Sequence, residues 1–305
     1  MRLCVFFVTI VQLSVFSYAL NQSYLATNRF AVRANSSTKF EARWANRKSK
    51  LSLLPGFRYF QLLKRVDPPS SEKFNYLSFT IWEDKDSFLS WRNGPAFAEA
   101  HGGSTGIGAF FKMIKSLTVM KGAPKPAMYD ALMPVVNEKA VNREPGLVVE
   151  DGWRKIFADG SSPLPRESFV AVNAFSIAEG ATGRFEAMWE GRESKLDSHE
   201  GFVNFCLARR DGEIDDGVNY RSITTWRTKV DFERWRKSDD FKRSHGGGGG
   251  KSDSSGSSSD SSGSGSGSSS SEKKSSVGAS KATGMFTKPP KLEFYEGMLV
   301  LSKGM

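Results

Sequence analysis

Cysteine is nearly absent from this 305-residue chain, where Cys4 and Cys206 are the only two. That excludes a disulfide framework and any zinc site built from cysteine pairs. No run of five or more Lys/Arg occurs, and bases alternate with acids although the net charge is +10. The clustered cations of a nucleic-acid footprint are therefore missing, and the charge reads as a solvated basic surface suited to an anionic ligand. Beyond Leu3–Phe16 there is no long apolar stretch, so the remainder is expected to be soluble. What the chain does have is aromatic mass. It carries 23 Phe and 7 Trp, and 39% of its residues are hydrophobic, enough to form real cores and to exclude disorder throughout.

Residues 1–19 pair one Arg with an apolar stretch and end in Ser17-Tyr18-Ala19, the anatomy of a cleavable secretory signal peptide. The stretch is short for a bilayer span and Gln12 interrupts it. Entry into the secretory pathway or secretion is the expectation, with two-step plastid targeting and an uncleaved signal anchor as the alternatives. Cleavage after Ala19 removes Cys4 and leaves Cys206 as the only thiol.

Downstream, one unit is written twice. Phe30, Phe40, Trp44, Arg47, Leu51, Gly56, Phe57 and Phe60 recur 145 residues later as Phe175, Phe185, Trp189, Arg192, Leu196, Gly201, Phe202 and Phe205. Tyr76, Trp82, Phe88, Trp91, Phe97 and His101 recur at an offset of 144 as Tyr220, Trp226, Phe232, Trp235, Phe241 and His245. A pitch this long is a domain duplication rather than a solenoid. The expected layout is a signal peptide at 1–19, a first domain at 26–135, a linker at 136–166 and a second domain at 167–305. An insertion at 246–284, rich in Ser and Gly, lacks the apolar content to offset its ordering entropy and reads as disordered. Trp153, Ile156 and Phe157 suggest that the linker packs against something.

Within the first copy, Asn28–Ala34 alternates as a short strand does. Thr38-x-x-Glu41 has the capping-box pattern, opening a helix with Phe40, Trp44, Leu51 and Leu54 on its buried stripe and ended by Pro55-Gly56. Phe57–Arg65 and Tyr76–Trp82 read as strands, Asp84–Phe97 as a second helix, and Ala127–Val135 as a last strand, answered by Lys291–Ser302 in the second copy. The order is β-α-β-β-α-β, the ferredoxin-like arrangement of an α+β fold. Two helices on one face leave the other sheet face needing cover, which the second copy can supply.

His101 and His245 each follow a Trp by ten residues and precede Gly-Gly, whereas the third histidine, His199, has no counterpart and is assigned no role. A helix-end His is ordinarily a surface group meeting the dipole; recurrence at fixed spacing from Trp91 and Trp235 argues for more. Trp82 and Trp226 read as core, while Trp91 and Trp235 lie on the helix leading to the His and so can border a cavity. Asn28 and Asn173 are polar residues in otherwise apolar first strands, placed either to face outward or to meet a ligand.

With these residues the chain resembles the IsdG-type heme-degrading monooxygenases, within the antibiotic biosynthesis monooxygenase superfamily. The likeness runs through Asn28-Arg29-Phe30, Gly56-Phe57, Thr80-Ile81-Trp82, Trp91 and His101, and through Asn173, Gly201-Phe202, Thr225-Trp226, Trp235, His245 and Tyr295-Glu296-Gly297. The resemblance implies that the two repeats form one pseudo-dimeric α/β barrel, with a pocket between each unit's helices and its own sheet, and so two hemes per chain. It places His101 and His245 as axial ligands of the heme iron, and Asn28, Trp91, Asn173 and Trp235 as catalytic residues. The indole distorts the macrocycle and the Asn amide donates toward its distal face. Arg92 and Arg236, one past each Trp, are candidates to meet the propionates. Heme is then both substrate and cofactor, opened with O2 and an external electron donor to release iron. The implied partners are heme and an unidentified reductant, with no nucleic acid, and a monomeric pseudo-dimer replaces the family's usual homodimer. The competing readings are a cofactorless monooxygenase of the same superfamily, acting on a quinol- or polyketide-like substrate, and a heme carrier without turnover.

Overall fold

The computed structural model describes residues 23–100, 119–137, 148–192, 195–245 and 284–303; of residues 98–100 and 245 it describes the backbone only. The expected signal peptide, His101 with Phe110, Phe111 and Ile114, and nearly all of the Ser/Gly insertion lie outside the described residues. No helix among the described residues is long and apolar enough to cross a membrane.

The first half contains β1 (Ser23–Phe30), α1 (Ser37–Ala45), β2 (Phe57–Arg65), β3 (Tyr76–Trp82), α2 (Lys85–Asn93), α3 (Pro95–Ala100) and β4 (Lys125–Val136). A two-stranded ribbon, β5 (Val149–Glu150) and β6 (Trp153–Arg154), follows. The second half contains β7 (Ser168–Ile177), α4 (Thr182–Glu190), β8 (Phe202–Asp211), β9 (Tyr220–Trp226), α5 (Lys229–Lys237), α6 (Asp239–His245) and β10 (Phe286–Ser302). Eight strands close into one antiparallel barrel in the order β1-β3-β2-β10-β7-β9-β8-β4. Each half keeps the ferredoxin-like order within its four strands. Its last strand crosses to the other half, β4 pairing with β8 and β10 with β2. Closure leaves no barrel strand with an unpaired edge.

Alternation along the strands sorts the side chains into two layers. Leu25, Tyr59, Phe79 and Tyr129 meet Val170, Val172, Cys206, Ile223 and Tyr295 inside the barrel, so each half is the cover that the other's sheet requires. The opposite faces pack under the helices, in one aromatic cluster in the first half and two in the second.

Several local expectations are corrected. β1 runs over Ser23–Phe30, earlier than Asn28–Ala34, because its register with β3 and β4 ends at Phe30 and Arg29 respectively. Thr38 lies inside α1, and the Glu41 side chain does not reach back to cap the helix. It is fully buried and instead accepts from Tyr76, from the Leu164 amide and from Arg166. α1 ends at Ala45, and Leu51–Leu53 forms a separate turn of 3-10 helix. The second helix divides at Gly94-Pro95: Gly94 donates to the Trp91 carbonyl at 3.0 Å, and Pro95, which lacks an amide hydrogen, opens α3. Between the halves, Trp153 is buried on Phe60 with ring centroids 5.0 Å apart, and donates to the Trp44 carbonyl at 3.2 Å. Ile156 packs beside it, whereas Phe157 is 91% exposed.

Candidate active site

The helix-facing side of each sheet has a floor of small residues between two blocks of aromatic rings. In the first half Ala26 lies between Thr80 and Met128, and Asn28 lies between Ser78 and Pro126. In the second, Ala171 lies between Thr224 and Phe294, and Asn173 between Ser222 and Leu292. Asn28 shares its face with Tyr24, Ala26 and Phe30 because strand side chains alternate. Phe30 and Phe40 stand on one side with α1, while Trp82 and Phe88 stand on the other with α2.

α2 brings Trp91 to the border of this floor. The helix starts cleanly because the Asp84 carboxylate accepts from the Ser87 amide at 2.7 Å; in α5 the Thr228 hydroxyl accepts from Asp231 at 3.2 Å. Trp91 stacks on Trp82 at 5.1 Å and meets Phe97 edge-on at 5.0 Å, and it stays half-buried. Trp235 repeats this against Trp226 and Phe241 at 5.3 and 4.8 Å, but is fully buried. Both indoles therefore belong partly to core and partly to the floor's margin, while Trp82 and Trp226 are wholly core.

Asn28 makes no side-chain hydrogen bond among the described residues, whereas the Asn173 amide donates to the Ser222 hydroxyl at 3.2 Å. His245 closes α6 rather than lying beyond it, and His101 falls immediately after α3, outside the described residues. Arg92 sits half-buried in the last turn of α2, and Arg236 is exposed in that of α5. Neither is ion-paired among the described residues, which leaves both cations available to a carboxylate. His199 approaches Asp240 at 3.1 Å, and so pins α6 to the turn before β8.

Two polar arrangements escaped the sequence reading. Near α2, Tyr24 donates to Asp211 of the other half at 2.6 Å, and Lys85 pairs with the same carboxylate at 2.7 Å. Burial, reinforced by Asp211, pushes the Tyr24 phenol up, while Lys85 and Tyr24 hold Asp211 below the usual carboxylate range. Inside the barrel, Arg221 donates to Tyr129 at 3.0 Å and to Glu293 at 3.4 Å, and Tyr295 donates to Glu293 at 2.8 Å. The signal in the sequence was asymmetry: Arg221 and Glu293 stand where the first copy has Leu77 and Ala127. The cavity bordered by Arg29, Tyr129, Arg221 and Tyr295 measures about 20 Å³. That is room for about one water, so the barrel interior is not where a tetrapyrrole or a quinol fits.

Comparison with known proteins matches the model of the antibiotic biosynthesis monooxygenases twice, over residues 23–103 and 168–247. The chain belongs to the antibiotic biosynthesis monooxygenase family. Its duplication is thus a tandem of two family domains closed into one barrel. Among curated relatives, a heme oxygenase (mycobilin-producing) of Mycobacterium tuberculosis is 38% identical over 76 residues, covering 25% of this chain and 68% of that protein. Among solved structures, a candidate monooxygenase from Fusobacterium nucleatum superposes with a TM-score of 0.55 at 10% identity, covering 94% of this chain and 96% of its own. One from Lactobacillus acidophilus gives 0.53 at 7% identity, with coverages of 93% and 97%. At such identities these two structures bear on the fold alone. The two family domains account for the barrel.

Proposed function

We propose that this family member is a heme-degrading monooxygenase that takes heme on the small-residue floor between sheet and helices. The observation that carries the reading is the placement of Asn28 and Trp91, and of Asn173 and Trp235, around one repeated floor. The residues fit the group: Ala26, Thr80 and Met128 line the floor beside Asn28, an indole borders it, and the Asn28 amide has no hydrogen-bond partner among the described residues. Kinship to a heme oxygenase supports the same choice of ligand.

When bound, heme supplies the oxygen chemistry at its iron, with electrons from an external donor, and is itself opened to release that iron. The chain's own residues bind, orient and shield it. Ala26, Met128 and the Trp91 ring exclude water from the macrocycle. The Asn28 amide donates toward the ligand's face, and the Arg92 guanidinium neutralises a propionate. His101 and His245 are assigned as axial ligands on their spacing from the Trp residues, neutral imidazole being an ordinary ligand of heme iron. A monomer is the proposed state, since barrel closure uses every strand edge that a subunit partner would pair with. The apolar stretch at Leu3–Phe16 supports entry into the secretory route.

Titration of the purified chain with hemin tests this. Saturable binding with a sharp Soret band, bleached under O2 and ascorbate with peroxide scavenged, is the expected result. A stable band under those conditions makes the protein a carrier; no saturable binding favours the cofactorless reading.

A further inference from the structure

The two floors are not equivalent. The rung Thr80–Ala26–Met128 in the first half becomes Thr224–Ala171–Phe294 in the second, so a flexible thioether is replaced by a rigid ring. Phe294 stacks on Phe169 at 5.6 Å and meets Phe232 edge-on at 5.5 Å, within the cluster that holds Trp235. Ala171 and Trp235 are buried to 5% and 7% exposure, while Ala26 and Trp91 are half-buried. The Asn173 amide is already committed to Ser222, and the Asn28 amide is not committed among the described residues. Three positions of the same site thus differ in one direction: filled, covered and hydrogen-bonded in the second half.

We propose that the chain binds its heme in the first half only, that Phe294 fills in the second half the volume the macrocycle takes in the first, and that the second half serves as the structural mate completing the barrel. The inference rests on the heme reading above and replaces the expectation of two hemes per chain. It also names the residue pair that decides occupancy. Met128 and Phe294 occupy equivalent places on β4 and β10, so each can be given the other's side chain without introducing a group foreign to the fold.

The test is hemin titration of the full chain at protein concentrations well above Kd, with stoichiometry read from the Soret break point. One equivalent is expected. Met128→Phe removes that equivalent, and Phe294→Met raises the count to two, with both variants melting within a few degrees of the parent. Two equivalents in the parent, one that survives Met128→Phe in a folded variant, or a count that stays at one in Phe294→Met each overturn the proposal. Absence of saturable binding in all three proteins instead overturns the choice of heme as ligand, so the two failures are distinct.

Discussion

Tyr76 donates to Glu41 across 2.7 Å beneath α1, and Tyr220 repeats the contact to Glu186 at 2.5 Å in the second half. The two carboxylates differ in company. Glu41 is fully buried and also holds the Leu164 amide and Arg166, tying the segment before β7 onto the first half. Glu186 is partly solvated and takes Arg209 instead. Removing the phenol leaves a charged acceptor short of a donor, at a cost that rises with burial. Tyr76→Phe is expected to lower unfolding free energy by about 1–3 kcal/mol, and Tyr220→Phe by less, as read from denaturant midpoints. Equal losses show that burial does not govern the difference.

Trp91 and Trp235 separate by role if only the first floor is used. Trp91→Phe should slow heme loss several-fold with stability little changed, since the indole is half-buried. Trp235→Phe should leave turnover near the parent rate and lower stability by about 1–3 kcal/mol, as truncating a buried aromatic does. Single-turnover bleaching and thermal melts on both variants provide the comparison; a Trp235→Phe variant that folds normally and fails to turn over assigns catalysis to the second half.

Acid should loosen the barrel from within. Burial works against the Glu293 carboxylate, but Arg221, Arg65, Tyr295 and Lys291 overcome it and hold its pKa below the ordinary value. Glu72, with Lys291 and Arg65, shifts the same way. A depressed folded pKa contributes stability that is complete above the unfolded value, near 4.5, and is lost as pH falls through the folded one. Melting temperature is therefore expected to hold near neutrality and to fall below about pH 5. Glu293→Gln should be less stable at pH 7, with Arg65 and Arg221 short of a counter-charge, and its acid slope should be shallower. An unchanged slope removes Glu293 from the account.

Cys206 should be silent in the folded protein. It is buried inside the barrel, and burial pushes its thiol up to about 12, so little thiolate exists at pH 8. Ellman's reagent is expected to find no fast thiol until denaturant is added. It should then find one if the leader has been removed and two if Cys4 remains. Fast reaction of the native chain contradicts the packing of the lumen.

Much of this was legible in the residues themselves. The duplication, the β-α-β-β-α-β order and the strands Phe57–Arg65 and Tyr76–Trp82 follow from spacing and alternation, because local periodicity reports which face of an element is buried. The recurrence of Asn, Trp and His at fixed places in both copies was visible in the same way. Repetition is also what hid the rest. A pattern shared by two copies cannot say which strand pairs across the junction, and the crossing of β4 to β8 and β10 to β2 depends on contacts far apart in sequence. Glu41 looked like a helix cap, because its spacing from Thr38 is local and its bond to Tyr76 is not. Met128 and Phe294 occupy matching places on the last strands of the two copies. Only the pairing of each last strand with the first strand of its own half, which sets Met128 beside Ala26 and Phe294 beside Ala171, placed them on the two floors, where a thioether and a ring take up different space.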